Sequence, residues 1–154
     1  MSSTNFERLK EYILSKSISD NFYIASREWR VVRIFISDDP TQCPCGQVIY
    51  EWCHIENRET EKQTIVGNVC VKHFMGVDMS PFFAGAKRLR KDSRKGPNKA
   101  LISYAAQHGL INEWETEFLI NVMSKRVLSD KQIACRDKIS NRILAALTAQ
   151  TGEE

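Results

Sequence analysis

The sequence predicts an α+β fold in which a few strands in the middle of the chain are flanked by helices. Three observations carry this. Runs rich in β-branched and aromatic residues fall at 29–36, 47–55 and 64–66. Apolar residues recur at helical spacing near the start (Phe6, Leu9, Ile13) and again beyond residue 80. Helix-start signals lie on either side of the strands, not among them.

In order, Thr4-Asn5-Phe6-Glu7 reads as a capping box and predicts a helix over 5–16. Asp20 offers a cap for a short helix through Tyr23 and Ala25. The strand at 29–36 is ended by Asp38-Asp39-Pro40. A strand at 47–55, a polar turn over 56–63 and a strand at 64–66 follow, broken by Gly67-Asn68. Residues 70–74 read as the first turn of a short helix that stops near Gly76.

Beyond this, Ser80-Pro81 opens a helix to about Arg90, and Gly96-Pro97 breaks the chain. Asn98 caps a helix that Gly109 ends. Asn112 with Glu115 opens another, with Trp114, Phe118, Leu119 and Val122 expected on one buried face. Ser129 with Gln132 starts the last, running to about residue 149. Three segments result: 1–38, an N-terminal helix and strand; 39–79, a cysteine-rich module; 80–150, a helical region.

The 154 residues suffice for one domain with a core. At 42% apolar and 27% charged, the composition excludes global disorder. No apolar run reaches the roughly 18 residues of a membrane span. No apolar stretch follows basic residues at the N-terminus, so no secretory signal is expected and the chain is placed in the cytoplasm.

Five cysteines is an odd number, which in a reducing compartment points to ligands, core residues or free thiols rather than disulfides. Cys43, Cys45, Cys53 and Cys70 cluster, while Cys135 stands apart. His54 and His73 lie in or just beyond the cluster. A structural zinc needs four soft or borderline ligands in a tetrahedron. The turn Cys43-Pro44-Cys45-Gly46 supplies two, and Cys70 with His73 supplies an i, i+3 pair on one side of a helix. The helix N-terminus also favours thiolate. The predicted ligands of one structural Zn²⁺ are therefore Cys43, Cys45, Cys70 and His73. The Cys-x-Cys spacing is one residue shorter than usual, so Cys53 or His54 is a possible substitute for Cys43. Adjacent strand residues point to opposite faces, so one of these two at most joins easily. The plainer alternative is that the cysteines are small core hydrophobes. Turn, hairpin and helix in that order is the treble-clef arrangement.

The charge is unevenly spread. Lys87, Arg88, Arg90, Lys91, Arg94, Lys95 and Lys99 face one acid, Asp92, giving the segment a net +6 and leaving −3 for the rest of a chain whose total is +3. Closely spaced cations suit phosphate, and arginine adds bidentate contacts. The segment is thus a candidate contact for DNA or RNA. The bland alternative is a solvated linker.

Residues 43–74 carry Cys-x-Cys-Gly, then Ile49, Cys53, Ile55, Asn57 and Thr60, then Val66-Gly67-Asn68-x-Cys70-x₂-His73-Phe74. This pattern resembles the small treble-clef-like zinc-finger proteins of phages and prophages. Leu128-Ser129-Asp130-Lys131-Gln132 is similar to a segment that follows zinc modules in many phage proteins. The resemblance covers about a fifth of the chain firmly. It implies a mobile-element origin, a zinc module and, if phage-encoded, the host cytoplasm, but supplies no activity.

Three functions follow as expectations. The first is a non-enzymatic, zinc-stabilised nucleic-acid-binding protein. The second is a phage-type inhibitor or adaptor that binds a host or defence protein. The third is a His-Asn-His-like nuclease using His54, Asn68 and His73. For that motif Asn68 stands too close to His73, which is already wanted by zinc.

Overall fold

A computed structural model describes residues 3–149. Residues 1, 2 and 150, at the ends of the first and last segments, lie outside the described residues. The chain divides after Met79 into two compact units.

The first unit contains α1 (Ser3–Ser15), α2 (Phe22–Ser26), β1 (Trp29–Gln42), β2 (Val48–Asn57), β3 (Gln63–Gly67) and α3 (Asn68–Met75). The strands form an antiparallel meander in the order β1-β2-β3. One face of the sheet carries Ile34, Ile36, Cys53, Ile55 and Val66, which are buried with Leu9 and Ile13 of α1 and with Val71 and Phe74 of α3. The helix α1 starts at Ser3, so Thr4 lies inside it rather than capping it.

The strand β1 is longer than its sequence suggests. Asp38-Asp39-Pro40 does not end it but bulges from it: Ile36 pairs with Glu51, and pairing resumes at Thr41 with Ile49. Pro40 lacks an N–H, and an edge-strand bulge is where that is tolerated. The Ser37 hydroxyl donates to the Asp39 carbonyl (2.7 Å) and accepts its N–H (3.1 Å), which fixes the bulge locally.

The β2–β3 hairpin is closed by Asn57, which is fully buried. Its Oδ1 accepts from the amides of Glu59 (2.8 Å) and Thr60 (3.0 Å), and its Nδ2 donates to Glu28 Oε1 (3.2 Å). At the end of β3, a Cβ on Gly67 would lie 2.9 Å from Ile49 Cγ2, so only glycine fits. Gly76, at φ +70°, stops α3 by donating its N–H to the Lys72 carbonyl.

The second unit contains α4 (Ser80–Lys91), a 3-10 turn (Ser93–Lys95), α5 (Lys99–Gln107), α6 (Glu113–Met123) and α7 (Asp130–Leu147). The expected caps form: Asn98 accepts from the Leu101 amide, and both capping boxes, Asn112/Glu115 and Ser129/Gln132, are complete. Phe83, Leu89, Leu101, Tyr104, Leu119, Ile139 and Ile143 make the core. A Cβ on Gly85 would lie 2.8 Å from Asn98 Oδ1 and 3.2 Å from Leu101 Cβ, so its absence lets α5 begin against α4.

The expected apolar face of α6 is corrected. Leu119 and Val122 are buried, but Trp114 is 61% exposed and stacks on Phe118 (5.4 Å between centroids, 9° between planes). The inward position belongs to Glu115, whose carboxylate both completes the capping box and accepts from Arg142. One residue is about 100° of helix rotation, which turns Trp114 away. Among the described residues no helix is long and apolar enough to cross a membrane.

Candidate metal centre and basic cleft

The β1–β2 connection is a tight turn. The Cys43 N–H donates to the Gln47 carbonyl (2.8 Å), and the Gly46 N–H donates to the Cys43 carbonyl (2.8 Å). Gly46 has φ +102°, a value that suits glycine. The turn holds Cys43 and Cys45 on one side, and the first turn of α3 brings Cys70 to them. The three sulfurs lie within 4.8 Å of one another, and all three residues are buried. Among the described residues this is the group of ligand-type side chains close enough to share an ion.

The spacing distinguishes a metal site from a disulfide. Cys43 and Cys70 are 3.5 Å apart at sulfur and are free thiols. A disulfide needs about 2.05 Å. Thiolates at about 2.3 Å from a tetrahedral metal are about 3.8 Å from each other. The group matches the second geometry. Three buried cysteines able to hold a metal ion are therefore present.

The electrostatics suit the same purpose. A hydrogen bond with the Cys70 thiol, with further help from the amides of Cys45 and Gly67, lowers Cys43 to about 6 against its ordinary value of 9.0. The Gly67 N–H donates to Cys43 Sγ at 3.4 Å, and the Gln47 N–H donates to Cys45 Sγ at 3.5 Å. The same hydrogen bond raises Cys70, and burial raises Cys45. Cys43 is the first thiolate available; an entering cation displaces the remaining protons.

His73 does not join this group. Cys70, Val71 and Phe74 form the buried side of α3, and His73 sits one turn past Cys70 on its exposed rim. Cys53 lies outside the group too; it is fully buried under the sheet, and burial pushes its thiol up to about 12. His54 is on the opposite sheet face, where its Nε2 donates to Gln63 Oε1 (2.8 Å). Asn68 is the first residue of α3. Cys135 is on α7, in the other unit.

The sequence reading missed the contribution of α1. Arg8 packs its guanidinium over Gly46, 2.7 Å from where a Cβ would stand. Arg8 and Tyr12 then line a cleft with Cys43 and His54. The signal was available: Arg8 and Tyr12 precede the buried pair Leu9 and Ile13 by one position, and so flank the packed stripe.

In the second unit the predicted basic residues are all exposed. Arg88, Arg90, Lys91, Arg94 and Lys95 line one cleft with Asp92 and Ser93. Lys87 is on α4, and Lys99 is the first residue of α5. Asp92 is used internally: its Oδ1 accepts from the Arg94 amide and from Arg94 Nε, each at 3.1 Å. The Arg94 hydrogen bond holds that carboxyl below its ordinary value. Arg88 donates to the Gly96 carbonyl (3.3 Å), tying α4 to the turn. No known protein family, curated protein or solved structure matches this chain.

Proposed function

We propose that the chain is a zinc-stabilised, non-enzymatic nucleic-acid-binding protein of phage or mobile-element type. The basic cleft carries the reading: five exposed cations gather around a single acid that is already bonded within the turn. Phosphates are the ligand such a cleft suits, because each neutralised phosphate releases condensed counterions. Arginine-rich clefts also favour bidentate contact.

In this reading the metal is Zn²⁺. Three thiolates select a soft or borderline ion; His73, one helical turn from Cys70 but exposed and outside the cluster, is the ligand the sequence offers for the fourth position. The order of turn, β2–β3 hairpin and α3 supports a treble-clef-like module. The ion has a structural role and brings the turn and helix together.

The test is affinity for labelled DNA and RNA across a salt series. The log–log slope is expected to be negative, at about 0.9 per phosphate contacted on duplex DNA. Reversing Lys87, Arg88, Arg90 and Lys91 to glutamate is expected to abolish binding; unchanged affinity would overturn the assignment.

A second reading has its own observation. Trp114, 61% exposed and stacked on Phe118, is the kind of rigid aromatic anchor that protein interfaces use. It favours an inhibitor or adaptor of a host or defence protein. Recovery of a stoichiometric protein partner by the wild type and not by Trp114→Ala would support it.

A further inference from the structure

The second unit contains a small cavity that neither the packing of its helices nor the basic cleft accounts for. It measures about 120 Å³ and lies between the turn after α4, the end of α6 and the first half of α7. Its floor is apolar, with the buried side chains of Leu119 and Val122. Its rim is cationic: Lys95 from the turn, Lys125 just past α6 and Arg136 from α7. Among the described residues no acidic side chain lines it. It is more closed than the basic cleft, with which it shares Lys95.

Lys125 has a structural account of its own, because a cation just after a helix complements its C-terminal carbonyls. Arg136 has none. Its side chain is 17% exposed, and its Nε is buried with no hydrogen-bond partner among the described residues. Asp137 stands 3.5 Å from that Nε, which makes an ion pair and not a hydrogen bond. A donor buried without a partner is costly, and a ligand that accepts from it removes the cost. The turn is shaped to admit the side chain: Gly96 has φ +72°, and a Cβ there would stand 2.9 Å from Arg136 Cδ. Asp137 offsets one of the three positive charges and leaves a surplus of two. Asp92, which lines the adjoining cleft with Lys95, is bonded to Arg94.

We propose that this pocket binds the terminal phosphate of a nucleic-acid strand, with Arg136, Lys125 and Lys95 as its cationic contacts. A phosphate monoester carries close to two negative charges at neutral pH, which matches the surplus. A phosphodiester within a strand carries one, and its chain must both enter and leave. A closed pocket suits a group tethered at one point. The planar fork of arginine fits phosphate oxygens, and the apolar floor strengthens each contact by lowering the local dielectric. The shared Lys95 lets a strand continue from the pocket along the basic cleft. The inference rests on the nucleic-acid reading above and adds to it a preference for phosphorylated ends.

The experiment titrates the full chain, loaded with zinc, with one strand of about 12 nucleotides in three forms, bearing a 5′-phosphate, a 3′-phosphate or hydroxyls at both ends. Inorganic phosphate is titrated separately. One charge-assisted contact changes affinity on the order of tenfold. An end-phosphorylated form is therefore expected to bind at least about tenfold more tightly than the hydroxyl form. Lys125→Gln, at an exposed position, is expected to lower that ratio severalfold and keep the circular dichroism of the wild type. Arg136→Gln is expected to bring it close to one. The ratio is the readout, because losing a surface charge weakens all three strands alike. A wild type that binds the three forms equally overturns the pocket, and the nucleic-acid reading then stands if the fourfold reversal abolishes binding. A ratio that persists in both variants places the phosphate elsewhere and also overturns the assignment. Binding of inorganic phosphate that Lys125→Gln weakens, with no strand bound, keeps the pocket as a phosphate site but overturns the strand end as its source, together with the nucleic-acid reading. A wild type that binds none of the probes overturns both.

Discussion

Cys43 shows how much one residue's surroundings decide. It accepts the Gly67 N–H and shares a thiol hydrogen bond with Cys70, and its pKa is the one lowered in its group. Replacing Cys43, Cys45 or Cys70 with serine is expected to remove tight zinc binding. Cys135→Ser should retain one zinc per chain, since Cys135 sits on α7; native mass spectrometry counts the ion. With cobalt in place of zinc, His73→Ala should shift the visible ligand-field bands if His73 is the fourth ligand. An unchanged spectrum would assign that position elsewhere. Gly67→Ala places a methyl against Ile49 and is expected to destabilise the first unit by about 1–3 kcal/mol in urea titration. The three cysteines were legible in the sequence because clustering and turn chemistry are local. The place of His73 was not, because i, i+3 spacing fixes neighbours along a helix but not which side of that helix is buried. Trp114 was misread for a related reason: its apolarity suggested the core, but Glu115 holds the inward position through its own bonds.

At the scale of elements, the helices were the most readable part. Asn98, Asn112 and Ser129 each act where they were expected, since capping depends on a few adjacent residues. Asn112→Ala is expected to cost about 1 kcal/mol, read from the shift in denaturant midpoint. Glu115 gives a pH test. Arg142 first, and then the Asn112 amide, hold its carboxyl below the ordinary value of 4.5. Its contribution to stability is therefore complete above the unfolded value and fades as pH falls through the lower, folded one. Glu115→Gln should be less stable than wild type at pH 6, with the gap closing in acid below the ordinary glutamate range. A gap that persists in strong acid would show that the charge is not what matters. The strand β1 was the element read short. Asp38-Asp39-Pro40 has the composition of a strand end, and only the pairing with β2 on either side of it turns an end into a bulge.

The molecule as a whole is two units built in different ways. The first gathers its sheet and α3 about the cysteine cluster, and the second is four helices packed on an apolar core. Structural zinc in small modules is worth on the order of 10 kcal/mol. Chelation is therefore expected to release hydrogen-exchange protection in β2, β3 and α3 while α5, α6 and α7 keep theirs. Equal loss in both units would show that they are not independent. The α+β class was readable because strand and helix periodicities differ along the chain. The division after Met79 was less so, because compactness depends on contacts that no local pattern states.

The cysteines also have an order in time. Cys43, Cys45 and Cys70 all precede Met79, so a ribosome delivers every thiol of the cluster before it has begun the second unit. Domains that emerge first fold first. On the zinc reading, the newborn chain would capture the ion while the residues from Ser80 onward are still being made, and the helical unit would be completed on a nascent chain whose first part is already closed.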